Sequence, residues 1–271
     1  MSGTFYHGTR EEQVAILEDT IRLMKLLDSH PIISRHSQPV LWHTDLHMGN
    51  IFVSPEEPSR IVSLIDWQST SILPAFLQAQ WPIFLKPPPE YVKGLVNPKL
   101  PHNIDDFDLD EKALAIREWE QAKLAKAYEV SAYLENRTAH DAMNTPRVFR
   151  ELFIRCGEVS EFGVVPLRAC LVEIFENWSS LGFTGNCPYS FTQADIQKHE
   201  SQFEEYQAWH KVQQLARDCL DTDAEGWVSP EMDIDKKREQ NKELLDLFIE
   251  QTAGEKSAGE ARAMWPFSEG L

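Results

Sequence analysis

The chain has 271 residues, of which 42% are apolar and 25% charged, so it can bury a core in one or two domains and is too apolar for wholesale disorder. Its 26 Lys and Arg against 43 Asp and Glu leave a formal net charge of −17. That balance argues against a nucleic-acid partner, because neutralising phosphates takes clustered cations.

Val14, Leu17, Ile21, Met24 and Leu27 recur at three- and four-residue steps before Pro31, which predicts an amphipathic helix with those residues on its buried face. A short apolar strand, Pro39–Trp42, then runs into His43. Two more short strands are expected at Ile51–Val53 and Ile61–Ile65, joined as a hairpin by the Pro- and Ser-rich turn SPEEPS. Between 74 and 104 lie Pro74, Pro82, Pro87, Pro88, Pro89, Pro98 and Pro101, a density expected to exclude regular helix and sheet. The interspersed Phe76, Trp81, Phe84 and Tyr91 suggest a loop held down by its aromatics. They could also line a pocket, but the packing role is commoner.

Asp108 with Glu111 has the pattern of a capping box opening a long helix. Ile116, Trp119, Ala127, Val130 and Leu134 would form its buried stripe. Further helices are expected near 146–156, 165–180, 193–220 and 233–251, the last one docking on its own lobe. The end, GEKSAGEARAMWPFSEGL, reads as mobile. The fold class is therefore α+β and mostly helical: a few short strands near the start, followed by helices without alternation. The expected division is a main lobe over 1–220 and an acidic turn, helix and tail over 221–271.

Cys156, Cys170, Cys187 and Cys219 form no CxxC pair and no metal-ligand spacing, and read as reduced thiols of an intracellular protein. No apolar run approaches the roughly 20 residues that span a bilayer; the best, 163–175, is broken by Pro166 and Arg168. Residues 1–12 carry neither an apolar signal core nor an Arg-rich presequence.

The chemistry concentrates in HTDLHMGN, residues 43–50, and in the Asp of IDW, sixteen residues beyond Asn50. Transfer of a phosphoryl group to a hydroxyl requires a carboxylate that accepts or orients the hydroxyl proton, and Asp45 is the candidate. It also requires hard oxygen ligands for Mg²⁺ bridging the phosphates, for which Asn50 and Asp66 are the candidates. Asp66 ends the strand that pairs with the one Asn50 begins, which brings it back beside the metal. His43 is expected to brace the loop backbone rather than touch substrate, and the role of His47 is open.

The pattern HxDxxxxN, then strand, turn, strand and IDW, resembles the aminoglycoside-phosphotransferase family, whose members share the kinase-like fold. His47 stands where protein kinases place Lys, and IDWQ where many have DFG, which points to the small-molecule kinases. The longer wording, LWHTDLHMGNIFV with IDWQSTSILPAFLQAQWPIFL and KPPPEY, resembles a fungal branch, the altered-inheritance-of-mitochondria phosphotransferase-like proteins. The resemblance covers roughly residues 10–230. It implies a kinase-like C-terminal lobe, ATP and Mg²⁺ as cofactors, a small-molecule hydroxyl as acceptor, and association with mitochondria, with the cytoplasm as the alternative.

One departure matters. No G-x-G-x-x-G occurs in the sequence, and the 42 residues before His43 contain no strand-rich nucleotide-binding lobe. The expectation is a C-terminal lobe alone, from a truncated enzyme that lacks its ATP-binding lobe. The rival reading is a non-catalytic, kinase-derived binding or scaffold protein.

Three other patterns are weaker. His43 and His47 are four apart, but no Glu follows the first, and Gly49 favours a loop over a zinc-binding helix. DTDAEGWVSPEM, 221–232, places Asp221, Asp223, Glu225 and Gly226 at calcium-loop offsets. Its twelfth position is Met232, however, so an exposed acidic turn is expected. Asp105, Asp106, Asp108 and Asp110 could clamp an amine, yet acids at a helix start need no such role.

Overall fold

A computed structural model describes residues 5–68, 70–223, 226–229 and 231–268. In chain order the helices are α1 (Arg10–Leu27), α2 (Pro31–Arg35), α3 (Ala75–Gln78), α4 (Leu109–Glu135), α5 (Arg137–Met143), α6 (Arg147–Gly157), α7 (Val159–Phe162), α8 (Val165–Glu176), α9 (Gln193–Leu220), α10 (Ile234–Thr252) and α11 (Ala258–Met264). The strands are β1 (Pro39–Leu41), β2 (Ile51–Val53), β3 (Ile61–Leu64) and β4 (Ile72–Pro74). The chain is thus mostly helical with a few short strands. It divides into two units, residues 24–150 and residues 1–23 together with 151–271.

In the unit 24–150, β2 and β3 form an antiparallel hairpin with Ile51 opposite Leu64 and an irregularity between Phe52 and Val53. Ser54 builds the turn: its backbone N–H donates to the Arg60 carbonyl at 2.9 Å, and its hydroxyl accepts from the Glu56 and Glu57 amides at 3.2 and 3.3 Å. The other strand, β1, pairs antiparallel with β4, with Pro39 opposite Pro74 and Leu41 opposite Ile72.

The Pro-rich stretch corrects the expectation of no regular structure. Pro74 closes β4, and α3 begins at the next residue, because proline at a strand end or just before a helix leaves no needed amide unsatisfied. Gln78 ties this corner together, donating to the carbonyls of Val40 at 2.8 Å and Leu73 at 3.2 Å. Arg150 donates to the Phe76 carbonyl at 2.9 Å and the Ala79 carbonyl at 2.5 Å. Ala75, Ala79 and Ala142 then pack with Val40, Trp42 and Met143.

The predicted capping box is present: Asp108 accepts from the Glu111 amide at 2.8 Å, and Glu111 accepts from the Asp108 amide at 3.2 Å. The buried face of α4 is not the predicted one. Ala122, Ala125, Lys126 and Glu129 are buried, whereas Ile116, Val130 and Leu134 are exposed. Lys126 donates to Glu129 at 2.6 Å and to the carbonyls of Val92 and Gly94 at 3.0 and 2.6 Å. Glu129 in turn accepts from the Tyr91 hydroxyl and from the Gly94 amide, the latter at 2.8 Å. This fully bonded pair fastens the Pro-rich loop, which is what lets a charged face go inward. Burial alone would push the Glu129 carboxyl up, but those donors hold it below its usual range.

A similar rotation affects α1. Ile16, Thr20, Leu23 and Leu27 are buried, while Val14 and Ile21 are 49% and 54% exposed. Two overlapping apolar stripes fit the sequence, and the one containing Leu23 goes inward. Thr20 satisfies its hydroxyl on the Ile16 carbonyl at 2.8 Å.

In the other unit α8 packs on α9, which also contacts α10 and α11. The C-terminal segment, expected to be mobile, instead folds into α11 and packs through the residues that follow it. Ser257 and Glu260 form a capping box that starts α11, a signal present in the sequence. Trp265 and Phe267 are buried with Ala216, Leu220 and Leu245. Polar anchors fix them: the Trp265 indole donates to Asn241 at 2.7 Å, Asn241 to the Phe267 carbonyl at 2.9 Å, and Gln213 to the Met264 carbonyl at 2.6 Å. The four cysteines are free thiols. Among the described residues no helix is long and apolar enough to cross a membrane.

Candidate active site

The segment after β1 turns through Asp45 into a single helical turn, Met48–Asn50, that feeds β2. His47 caps this turn: its Nδ1 accepts from the Gly49 amide at 3.1 Å. A side chain on Gly49 would meet that imidazole at 3.0 Å, so any larger residue there would have to push the His47 ring aside. The His47 amide donates to the Asp45 carbonyl at 3.1 Å, and the Asn50 amide to the His47 carbonyl at 3.0 Å.

Asn50 is the buried centre of the loop, 4% exposed. Its Nδ2 donates to the Asp45 carbonyl at 3.0 Å. A carbonyl can only accept, so the amide orientation is fixed and Oδ1 is left available to a cation. On its other side the Asn50 carbonyl accepts from the Ile65 amide at 3.1 Å, which carries the β2–β3 ladder one step further and sets Asp66 immediately beyond it.

Asp66 has a φ of +64°, a left-handed conformation that costs a non-glycine residue free energy and concentrates at functional sites. Its Oδ1 is buried without a hydrogen-bond partner. A carboxylate oxygen held that way needs a proton donor or a cation. His43, also buried, donates Nε2–H to the Ile65 carbonyl at 2.8 Å and lays its ring 4.7 Å from that of Trp67. It therefore clamps the residues flanking Asp66 to the start of the loop.

Asp45 is exposed and lines a cavity of about 390 Å³ whose walls include Trp42, Trp81 and Tyr128, with Gln80 and Lys86 at the same cavity. Trp81 sits 5.3 Å from the Tyr128 ring and 6.1 Å from Tyr91. It therefore both holds the Pro-rich loop and lines the pocket. Burial pushes the Tyr128 phenol up, so it meets a ligand as a neutral hydroxyl. Trp42, Gln80, Lys86 and Tyr128 were not singled out from sequence. The signal for Lys86 and Gln80 was their place in a loop that must fold back onto the chemistry.

Hydrogen bonds thus link the segments of Asp45, Asn50 and Asp66. Among the described residues no three His, Cys, Asp or Glu side chains gather as a metal site. A Mg²⁺ ion bound by one carboxylate and one amide, with water and substrate phosphates completing the shell, needs no such cluster. The lone Asp66 oxygen and the oriented Asn50 amide fit that donor set.

The other patterns resolve simply. Asp108 is a helix cap, Asp105 pairs with Lys112 at 3.2 Å, and none of the 105–110 acids lines the cavity at Asp45. Asp221 ends α9 in a left-handed conformation, and Asp223 accepts from the Trp227 amide at 2.8 Å. Glu225 of the calcium-like pattern lies outside the described residues.

Residues 6–76 match the model of a phosphotransferase enzyme family. That stretch contains α1 and all of His43, Asp45, Asn50 and Asp66. Two curated relatives, subtelomeric hrmA-associated cluster proteins from two strains of Aspergillus fumigatus, are each 30% identical over 260 residues, covering 92% of this chain and 49% of the relative. The chain thus spans about half the length of the curated relatives it matches. No solved structure matches.

Proposed function

We propose that this chain is the catalytic lobe of an ATP-dependent phosphotransferase that acts on the hydroxyl of a small molecule. The observation that carries the reading is Asn50, bonded on one side to Asp45 and on the other to the residue preceding Asp66. Asp45 orients the acceptor hydroxyl and takes up its proton. Asn50 and Asp66 would hold Mg²⁺, which neutralises charge on the transferred phosphoryl group when bound. His43 and His47 keep the loop in shape and touch no reactant.

The nucleotide contacts come from outside these residues. Two features support this: the sequence lacks a glycine-rich phosphate loop, and the relatives are about twice as long. The strand surface beside the loop is also uncovered. Phe52, Val53, Ile61, Val62 and Ile65 are between 43% and 64% exposed, apolar surface on both faces of the hairpin that a second domain could cover. The fungal mitochondrial branch is the most specific family placement we propose.

The test is ATP turnover by the chain alone and after mixing with the separately expressed half of an Aspergillus relative that this chain does not cover. Phosphoryl transfer on mixing, abolished by Asp45→Asn, supports the reading. Absence of turnover in every combination, with the halves still binding each other, would favour a non-catalytic binding protein built on the same lobe.

A further inference from the structure

We infer that the acceptor bound beside Asp45 is a hydroxy acid, with Lys86 receiving its carboxylate and the aromatic walls its body. This deepens the proposed phosphotransferase reading and rests on Asp45 serving as the base.

The charges at the cavity decide the class. Asp45 and Lys86 are its charged lining residues, and the first is committed to the hydroxyl proton. Lys86 forms no ion pair among the described residues, in contrast to Lys112 and Lys126, which are paired with Asp105 and Glu129. An unpaired ammonium in the lining of a cavity walled by Trp42, Trp81 and Tyr128 favours an anion and repels an amine. The acids that could have clamped an amine, Asp105 to Asp110, line no part of it.

Lys86 is also held in place. Gln121 of α4 donates to the carbonyls of Phe84 at 3.1 Å and Lys86 at 2.8 Å, and the Lys86 amide donates to the Ile83 carbonyl at 3.3 Å. Its backbone is thus pinned to the long helix that also contributes Tyr128 to the cavity. Trp81, wedged against Tyr128, gives a flat surface for a ring or an apolar chain. The overall charge of −17 attracts cations at long range, so a preference for an acid has to arise locally, at Lys86.

Three probes that keep one hydroxyl in place isolate the charge: 3-phenyllactate, 1-amino-3-phenyl-2-propanol and the neutral 3-phenyl-1,2-propanediol. Binding to the full chain at pH 7 is followed by calorimetry and by quenching of tryptophan fluorescence. The expected order is phenyllactate tightest, at least tenfold tighter than the amino alcohol, with the diol between. Lys86→Met should bring the three together and Lys86→Glu should reverse the order, whereas Lys99→Met, outside this cavity, should change nothing. Equal or tighter binding of the amine by the wild-type chain overturns the inference, as does an acid preference that survives Lys86→Met or the failure of all three probes to bind. The wild-type order alone fixes the sign, so a misfolded variant does not blunt the result. These readouts need neither metal nor ATP. Selective acid binding in a protein that never transfers phosphate would therefore sink the phosphotransferase reading and leave the pocket assignment standing.

Discussion

The side-chain amide of Asn50 donates to the backbone carbonyl of Asp45 at 3.0 Å, so a metal-ligand candidate holds the candidate base in register. One substitution therefore touches two functions. Asn50→Ala should lower stability by about 1 kcal/mol, the net value of one hydrogen bond, and weaken Mn²⁺ binding at least tenfold. Asn50→Asp should be the worse folder despite its added charge, because two acceptors would then face each other. Urea unfolding and water-proton relaxation of Mn²⁺ titrations measure both effects. Asn50→Asp matching the wild type in urea would show that the bond does not shape the loop.

His43 is argued to be a brace, which separates its substitutions. His43→Phe keeps a ring against Trp67 but strands the Ile65 carbonyl, at a cost of about 1–3 kcal/mol. His43→Ala should cost more, since the ring packing goes too. Equal stability of His43→Phe and wild type in chemical denaturation would remove the brace.

Acid lability has an identifiable source in the unit that contains α9. Burial pulls the His199 imidazole down to about 4, with nearby Arg168 adding to the effect. The unfolded chain takes up this proton near pH 6.5, so between 6.5 and 4 it binds more protons than the folded one. Stability is then full above pH 6.5 and falls on the way to pH 4, by on the order of 3 kcal/mol. His199→Phe should flatten that limb in urea midpoints measured from pH 7 to 4. An unchanged slope would assign the lability elsewhere.

The C-terminal segment is structural. Trp265→Ala leaves a cavity and takes the donor from Asn241 Oδ1, and should cost about 3–5 kcal/mol. Thermal unfolding of that variant and of a chain ended at Lys256 checks this; a melting temperature within a degree of wild type would show the segment to be dispensable.

The long helices and the β2–β3 hairpin were readable because period and turn chemistry agree there. The faces of α1 and α4 were not. On α1 two apolar stripes overlap, and on α4 the buried face is made of Ala122, Ala125 and the bonded pair Lys126–Glu129, which no hydrophobicity pattern selects. The tail was misread because its small residues hid a capping box that serves to bury Trp265. At the site, the order and spacing of Asp45, Asn50 and Asp66 marked them as candidates. The capping role of His47 is local, on an amide two residues on, whereas the left-handed Asp66 and the approach of Lys86 depend on contacts between segments distant in sequence and had to be seen.

If Asn50 and Asp66 share one metal ion, iron-directed cleavage should reveal both segments. Iron(II) substituted for magnesium, with ascorbate and oxygen, cuts backbone close to where it is bound. Two clusters of cuts are expected, around residues 45–50 and 64–67, both lost in Asp66→Ala and both suppressed by excess Mg²⁺. Cuts in only one of those segments, or the same cuts in Asp66→Ala, would show that the two residues do not share an ion.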